Sequence, residues 1–167
     1  MAPSPSLDST AFRQALGQFA SGVTVVATLD AEGHPQGLTV SAFCSVSLDP
    51  PLVLVCVDKR SETHPGFADS RLFGVSVLAE HQQDVSQRFA TLGTEKNTFD
   101  FTRGPGGAPL VPGALAQLEC RLFAAHDAGD HRIYVGEVFS LSVNAGRPLL
   151  YHATGYRRLA GEERPAG

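Results

Sequence analysis

Residues 36–58 read Gln36-Gly37-Leu38-Thr39-Val40-Ser41-Ala42-Phe43-Cys44-Ser45-Val46-Ser47-Leu48-Asp49-Pro50-Pro51-Leu52-Val53-Leu54-Val55-Cys56-Val57-Asp58. The first half, from about Gln36 to Ser47, reads as one long strand. Thr39, Ser41, Ser45 and Ser47 share one strand parity, so the strand presents hydroxyls on a single face. Asp49-Pro50-Pro51 is turn punctuation. Leu52 to Asp58 then reads as a fully apolar strand, rich in β-branched side chains. Two strands meeting at a tight turn make a hairpin, and that pattern repeats in both directions along the chain.

Upstream, Asp8 or Ser9 can cap a first helix in which Phe12, Ala15, Leu16 and Phe19 form an apolar stripe. Gly22 reads as its end. Val23 to Leu29 is a β-branched strand, closed by the turn Asp30-Ala31-Glu32-Gly33. Downstream come a short helix over 62–69, a strand from Phe73 to Ala79 and a helix over 81–91 whose inner face is Val85, Phe89 and Leu92. Thr102 to Gly113 is loop by its glycines and prolines. Strands from Ala114 to Ala125 and Ile133 to Val143 flank the hairpin signal Asp127-Ala128-Gly129-Asp130. Leu149 to His152 reads as a short last strand. Six or seven strands joined by hairpin-type turns predict a mainly β protein, an antiparallel barrel with a few flanking helices. Regular strand–helix alternation is missing, which argues against a doubly wound parallel sheet.

Composition sets outer bounds. The chain has 167 residues, 43% apolar and 18% charged, enough for one domain with a core of its own. Residues 1–6 and 161–167 read as loose tails around a single domain over 7–160. Thirteen basic and seventeen acidic side chains leave a net charge of −4, which disfavours a nucleic-acid or anionic-membrane partner. The longest apolar run, Leu52 to Val57, is far short of the roughly 20 residues of a membrane helix. No signal peptide is evident at the N-terminus. Cys44, Cys56 and Cys120 are too few and too scattered for a disulfide framework and read as reduced thiols of a cytoplasmic protein.

Three features can carry chemistry. Lys59-Arg60-Ser61 follows an apolar strand and opens a short helix that Ser61 or Thr63 can cap. Two cations beside free helix N–H groups suit a phosphate; a capped, solvated surface helix suits the same residues. The hydroxyl strand from Thr39 to Ser47 suits either the rim of a polar ligand or solvent. His131, just after a hairpin turn, is placed for the mouth of a site or for simple exposure. No histidine pair has metal-ligand spacing. Rossmann, P-loop and nucleophile-elbow signatures are absent.

Together, several stretches resemble one family. Phe19-Ala20-Ser21-Gly22-Val23-Thr24-Val25-Val26 looks like its opening signature, and Gly37 to Phe43 with Ser45 to Leu52 looks like its core motif. Phe89-Ala90, Ala116 to Cys120, Gly129-Asp130-His131, Gly136-Glu137-Val138 and Pro148 to Tyr151 with Tyr156 follow in order. The chain resembles the short-chain flavin reductases, the reductase components of two-component flavin-dependent monooxygenases, from about Phe12 to Leu159.

That resemblance implies an FMN-binding split barrel, a homodimer, and NAD(P)H-dependent reduction of FMN or FAD by hydride transfer to flavin N5. Reduced flavin would pass to a partner oxygenase. By position, Thr39, Val40, Ser41 and Ala42 would line the isoalloxazine ring through main chain. Ser45 and Ser47 would lie near the ribityl and phosphate end. Lys59, Arg60, Ser61 and Thr63 would neighbour the phosphate, and Arg88 and Phe89 the ribityl-phosphate or adenine side. His131 and Tyr151 would border the nicotinamide pocket. Since the cofactors carry the chemistry, no side chain is expected to be an indispensable acid or base. The competing readings are a non-catalytic flavin carrier or sensor on the same barrel, an oxidase of the pyridoxamine-phosphate type, and a ligand-free structural barrel.

Overall fold

The computed structural model describes residues 7–91 and 98–161. The tail expected at 1–6, all but Gly161 of the tail expected at 161–167, and the inner-face position Leu92 lie outside these residues.

The elements run α1 (Ser9–Leu16), β1 (Ser21–Gly22), β2 (Thr24–Leu29), β3 (Pro35–Val40), β4 (Phe43–Leu48), β5 (Pro51–Asp58), α2 (His64–Ser70), β6 (Leu72–Val77), α3 (Gln83–Ala90), β7 (Thr102–Arg103), β8 (Pro109–Leu110), β9 (Ala116–Ala128), β10 (His131–Val143), β11 (Leu150–His152) and β12 (Gly155–Arg157). Seven strands form one antiparallel sheet in the order β3-β2-β6-β9-β10-β5-β4. β3 and β4 are its opposite edges, yet only Ser41 and Ala42 separate them in the chain. So short a link forces the sheet to curl until its edges approach, and the mainly β barrel expected from the sequence results.

The long strand expected over Gln36–Ser47 is therefore two strands. β3 pairs with β2 while β4 pairs with β5, so the chain has to cross the seam at Ser41-Ala42. Alternation of side chains cannot reveal such a crossing, because the pattern on each side of it is a strand pattern. A bulge between Ser45 and Ser47 breaks the expected common parity a second time.

The barrel interior is built from Val26, Val40, Val53, Val55, Val57, Phe67, Phe73, Val75, Cys120 and Tyr134. Each large apolar side chain buried there contributes roughly 1.5–3 kcal/mol. Gly136 must be glycine: a Cβ there would lie 2.3 Å from the Phe73 ring and 2.8 Å from the Cys120 Cβ. β2 is buried on both faces, and its outer face carries a second apolar cluster of Val23, Val25, Leu78, Phe89, Val111, Ala114 and Leu149. α3 and the small sheet β1-β11-β12 complete that outer layer.

Two expectations for the N-terminus change. Asp8 caps α1 through bonds to the Thr10 and Ala11 N–H groups, but the helix ends at Gly17, and Gly22 lies in β1. Among the described residues nothing buries the apolar stripe of α1: Phe12, Leu16 and Phe19 are all exposed. Near the other end, the hairpin turn is Gly129-Asp130 alone, so β9 continues to Ala128. Gly129 takes φ +62°, as the first central position of a type II′ turn requires.

Candidate functional site

At one end of the barrel the strand register collects several of the expected residues. His131 stands opposite Asp58, and Ile133 opposite Cys56. The Cys56 N–H donates to the Ala42 carbonyl at 3.1 Å. The seam Ser41-Ala42, the turn after β5 and the start of β10 thus lie side by side. The Lys59 N–H donates to the Asp130 carbonyl at 3.0 Å, which ties the turn to the β9–β10 hairpin.

The charges at this end are arranged in pairs. Arg60 donates to both carboxylate oxygens of Asp58, at 3.1 and 2.7 Å. Hydrogen bonding to Arg60 holds the Asp58 carboxyl far below the usual carboxylate range and pushes the Arg60 guanidinium up. Lys59 Nζ donates to the Gly129 carbonyl at 2.9 Å and lies 3.5 Å from Asp127. His131 Nδ1 lies 2.7 Å from Asp130 Oδ1, and this contact lowers the Asp130 carboxyl. Arg60 is 87% exposed at its side chain, so its pairing is worth little against a competing phosphate.

The hydroxyls are less available than the sequence suggests. Thr63 is buried and donates to the Gly37 carbonyl at 3.3 Å. Thr39 points out of the barrel and donates to the Ser86 carbonyl at 2.6 Å. Ser61 Oγ accepts from the Thr63 N–H, and the Ser61 carbonyl from the His64 N–H. α2 has only seven residues and its first-turn donors are partly used. Lys59 and Arg60, more than a helix terminus, are the groups at this end that can meet an anion, in competition with Asp58 and Asp127. Val40 packs into the barrel core, so only its main chain faces the edge.

Ser45 and Ser47 are not part of this group. They stand opposite Val53 and Leu52, and Lys59 follows Val53 by six residue steps, nearly all in extended β5, about 20 Å. One phosphate cannot touch both ends. Arg88 and Phe89 lie on the outer layer. Phe89 is buried against Phe99 and Phe101, and Arg88 lies 5.6 Å over the Phe99 ring. Tyr151 pairs with Ser21 and with Tyr156, whose ring it meets edge-on at 5.4 Å. The sequence reading missed Ser86 and gave Tyr156, a matching position, no role, although the two hold this side together; it also missed Asp58, whose spacing to Arg60 was the available clue.

The geometry can accept a flat, polar heterocycle. Among the described residues β3 and β4 are sheet edges, each with one side lacking a strand partner. The Gly37, Val40, Ser41 and Ala42 carbonyls already accept from Thr63, Thr24, Phe43 and Cys56, so the remaining main-chain N–H groups and the second lone pairs of those carbonyls are what the edge offers a ligand. No group of three or more side chains able to hold a metal occurs among the described residues. Nor does any described helix have the length and apolarity to cross a membrane. A separate cleft of about 210 Å³ between the 102–105 segment and Ser140–Ser142 sits at the far ends of β9 and β10, away from the His131 turn.

The family described as "Flavin reductase like domain" matches residues 16–160. The FMN reductase (NADH) SmoA of Agrobacterium fabrum is 45% identical over 153 residues, covering 92% of this chain and 87% of that protein. The reductase component of 4-hydroxyphenylacetate 3-monooxygenase of Thermus thermophilus is 45% identical over 150 residues, covering 89% and 95%. Among solved structures, the NADH:FAD oxidoreductase SgcE6 of Streptomyces globisporus, in complex with NAD and FAD fragments, superposes with a TM-score of 0.88 at 35% identity, over 98% of this chain and 100% of that one.

Proposed function

This chain belongs to the flavin reductase like family, and from that premise we propose that its flavin lies along the open β3 and β4 edges at the Ser41-Ala42 seam. The protein is an NADH-dependent flavin reductase that supplies reduced flavin, FMN or FAD, to a partner oxygenase of a two-component monooxygenase. The observation that carries the site is the register: it brings the seam, Lys59-Arg60-Ser61 and His131 to one end of the barrel.

When bound, the nicotinamide supplies a hydride and the flavin accepts it at N5. The residues of this chain bind and orient. Main-chain groups of Thr39, Val40, Ser41 and Ala42 pair with the ring's polar edge, and N–H donors there steady the negative charge that grows on it. Lys59 and Arg60 attract the flavin phosphate. In this reading His131 and Tyr151 border the nicotinamide from the barrel end and the outer layer respectively, and holding two rings in contact is most of what hydride transfer needs from a protein. Ser45 and Ser47 take no part in the phosphate site in this reading. Arg88 and Phe89 act from the outer layer, behind β3.

The functional unit is a homodimer. Support comes from Phe12, Leu16, Leu48, Leu141 and Val143, all exposed large apolar side chains of the kind that a partner surface covers. We place it in the cytoplasm, which suits its three free cysteines and its need for NADH.

The site is tested by calorimetric titration with FMN and with riboflavin, which lacks the phosphate. Wild type should prefer FMN, and Lys59→Ala with Arg60→Ala should abolish that preference while leaving riboflavin binding intact. An undiminished preference in the double variant would overturn the phosphate assignment. Anaerobic bleaching of flavin by NADH tests the activity, and sedimentation tests the dimer.

A further inference from the structure

Ser86 is fully buried in α3 and joins two strands that have no sheet in common. Its carbonyl accepts the Thr39 hydroxyl of β3 at 2.6 Å. Its own hydroxyl lies 2.8 Å from the Tyr156 hydroxyl of β12. Tyr156 in turn meets the Tyr151 ring edge-on. A continuous polar and aromatic path therefore runs from the open edge of β3 to Tyr151. Two residues before Thr39, the Gly37 carbonyl is gripped by Thr63 from α2, so β3 is fixed from both flanking helices.

We propose that Tyr156 is a positioning residue: through Ser86 it registers Tyr151, the wall of the nicotinamide site, to the strand that holds the flavin. The inference rests on the site reading above, which puts flavin on β3 and nicotinamide beside Tyr151. Its physical basis is that β11 and β12 are three-residue strands, too short to fix a side chain by themselves. The Ser86–Tyr156 hydrogen bond supplies a directional constraint where strand pairing is weak. Rings positioned this way lower the cost of ordering a second ligand against the first.

The test uses Tyr156→Phe, which keeps the ring and its contact with Tyr151 but loses the hydroxyl, together with Ser86→Ala and Tyr151→Ala. Steady-state NADH oxidation and flavin titration are measured on the full chain. Tyr156→Phe and Ser86→Ala should each raise KM for NADH about three- to tenfold, as loss of one hydrogen bond worth about 1 kcal/mol implies. The flavin Kd and kcat should stay near wild type, and the double variant should show no further rise, because both changes cut one link. An unchanged KM for NADH in Tyr156→Phe, while Tyr151→Ala raises it, would overturn the positioning role alone. No effect of Tyr151→Ala would overturn the nicotinamide site and the role of Tyr156 with it. A general weakening of flavin and NADH binding alike would reduce Tyr156 to a merely structural residue and also overturn the proposal.

Discussion

The Thr39 hydroxyl donates to the main-chain carbonyl of Ser86 at 2.6 Å, across 47 residues of sequence. A side chain that the sequence offers as a ligand contact is thus a brace that holds the open edge of the sheet against a helix. Thr39→Val keeps the branched shape and removes one hydrogen bond, costing about 1 kcal/mol. The expected outcome is a lowered urea midpoint and a several-fold weaker flavin Kd, both restored in Thr39→Ser. Flavin titration of Thr39→Val at wild-type affinity would show that the edge holds its position without the brace.

Asp58 and Arg60 give the fold an acid sensitivity of predictable direction and small size, because the pair is exposed and screened by solvent. The Asp58 carboxyl is held far below the usual carboxylate range in the folded chain, chiefly by hydrogen bonds from Arg60, and titrates near 3.9 when unfolded. A group with a depressed folded pKa adds stability above its unfolded pKa and loses that contribution as pH falls through the folded one. Asp58→Asn should therefore melt below wild type near neutral pH, with the gap closing as pH drops below about 4. Melting curves from pH 7 to pH 2 check this; a gap that stayed constant would place the effect elsewhere.

His131 begins β10 and pairs with Asp130. If it flanks the nicotinamide and transfers no proton, His131→Ala should raise KM for NADH several-fold and leave most of kcat. Steady-state kinetics decide the matter. A loss of kcat of about a thousandfold, roughly 4 kcal/mol, would instead mark an acid–base step at this ring.

How much of this was legible in the sequence follows from what each feature depends on. The apolar run Leu52–Val57 and the turn at Gly129-Asp130 are local patterns, and β5 and the β9–β10 hairpin appear where those patterns fall. Lys59, Arg60 and His131 could be named because each flanks a recognisable strand, helix start or turn; that β5 and β10 pair and so bring them together is long-range and left no local trace. The seam at Ser41-Ala42 could not, since it depends on which edge each half-strand joins. The Ser86–Tyr156 link spans 70 residues and leaves no periodic trace. Nor does a hydroxyl-rich strand disclose that Thr39 faces a helix instead of a ligand. The stripe on α1 was legible as amphipathic, but not that the described residues leave it exposed.

Glu119 gives the sharpest stability prediction outside the site. Its side chain is 1% exposed, and its carboxylate accepts the Gly106 N–H at 2.9 and 3.1 Å and the Ala108 N–H at 3.0 Å. The loop is shaped around that carboxylate, since a Cβ on Gly104 would fall 2.3 Å from its carboxyl carbon. The same burial, with the Glu119 charge beside it, pushes the Cys120 thiol up to about 12, so this cysteine stays protonated. Glu119→Gln replaces one accepting oxygen by an NH2 group that confronts main-chain donors at a side chain almost wholly buried. A buried donor without an acceptor costs about 1–3 kcal/mol. Urea denaturation should show a loss of that size, and limited proteolysis should cut the 104–108 loop faster than in wild type. Because the loop lies away from the His131 turn, the folded variant should keep its KM for NADH. A Glu119→Gln protein as stable as wild type, with the loop equally protected, would mean that packing around Gly104 and Gly106, not the charge, holds the loop in place.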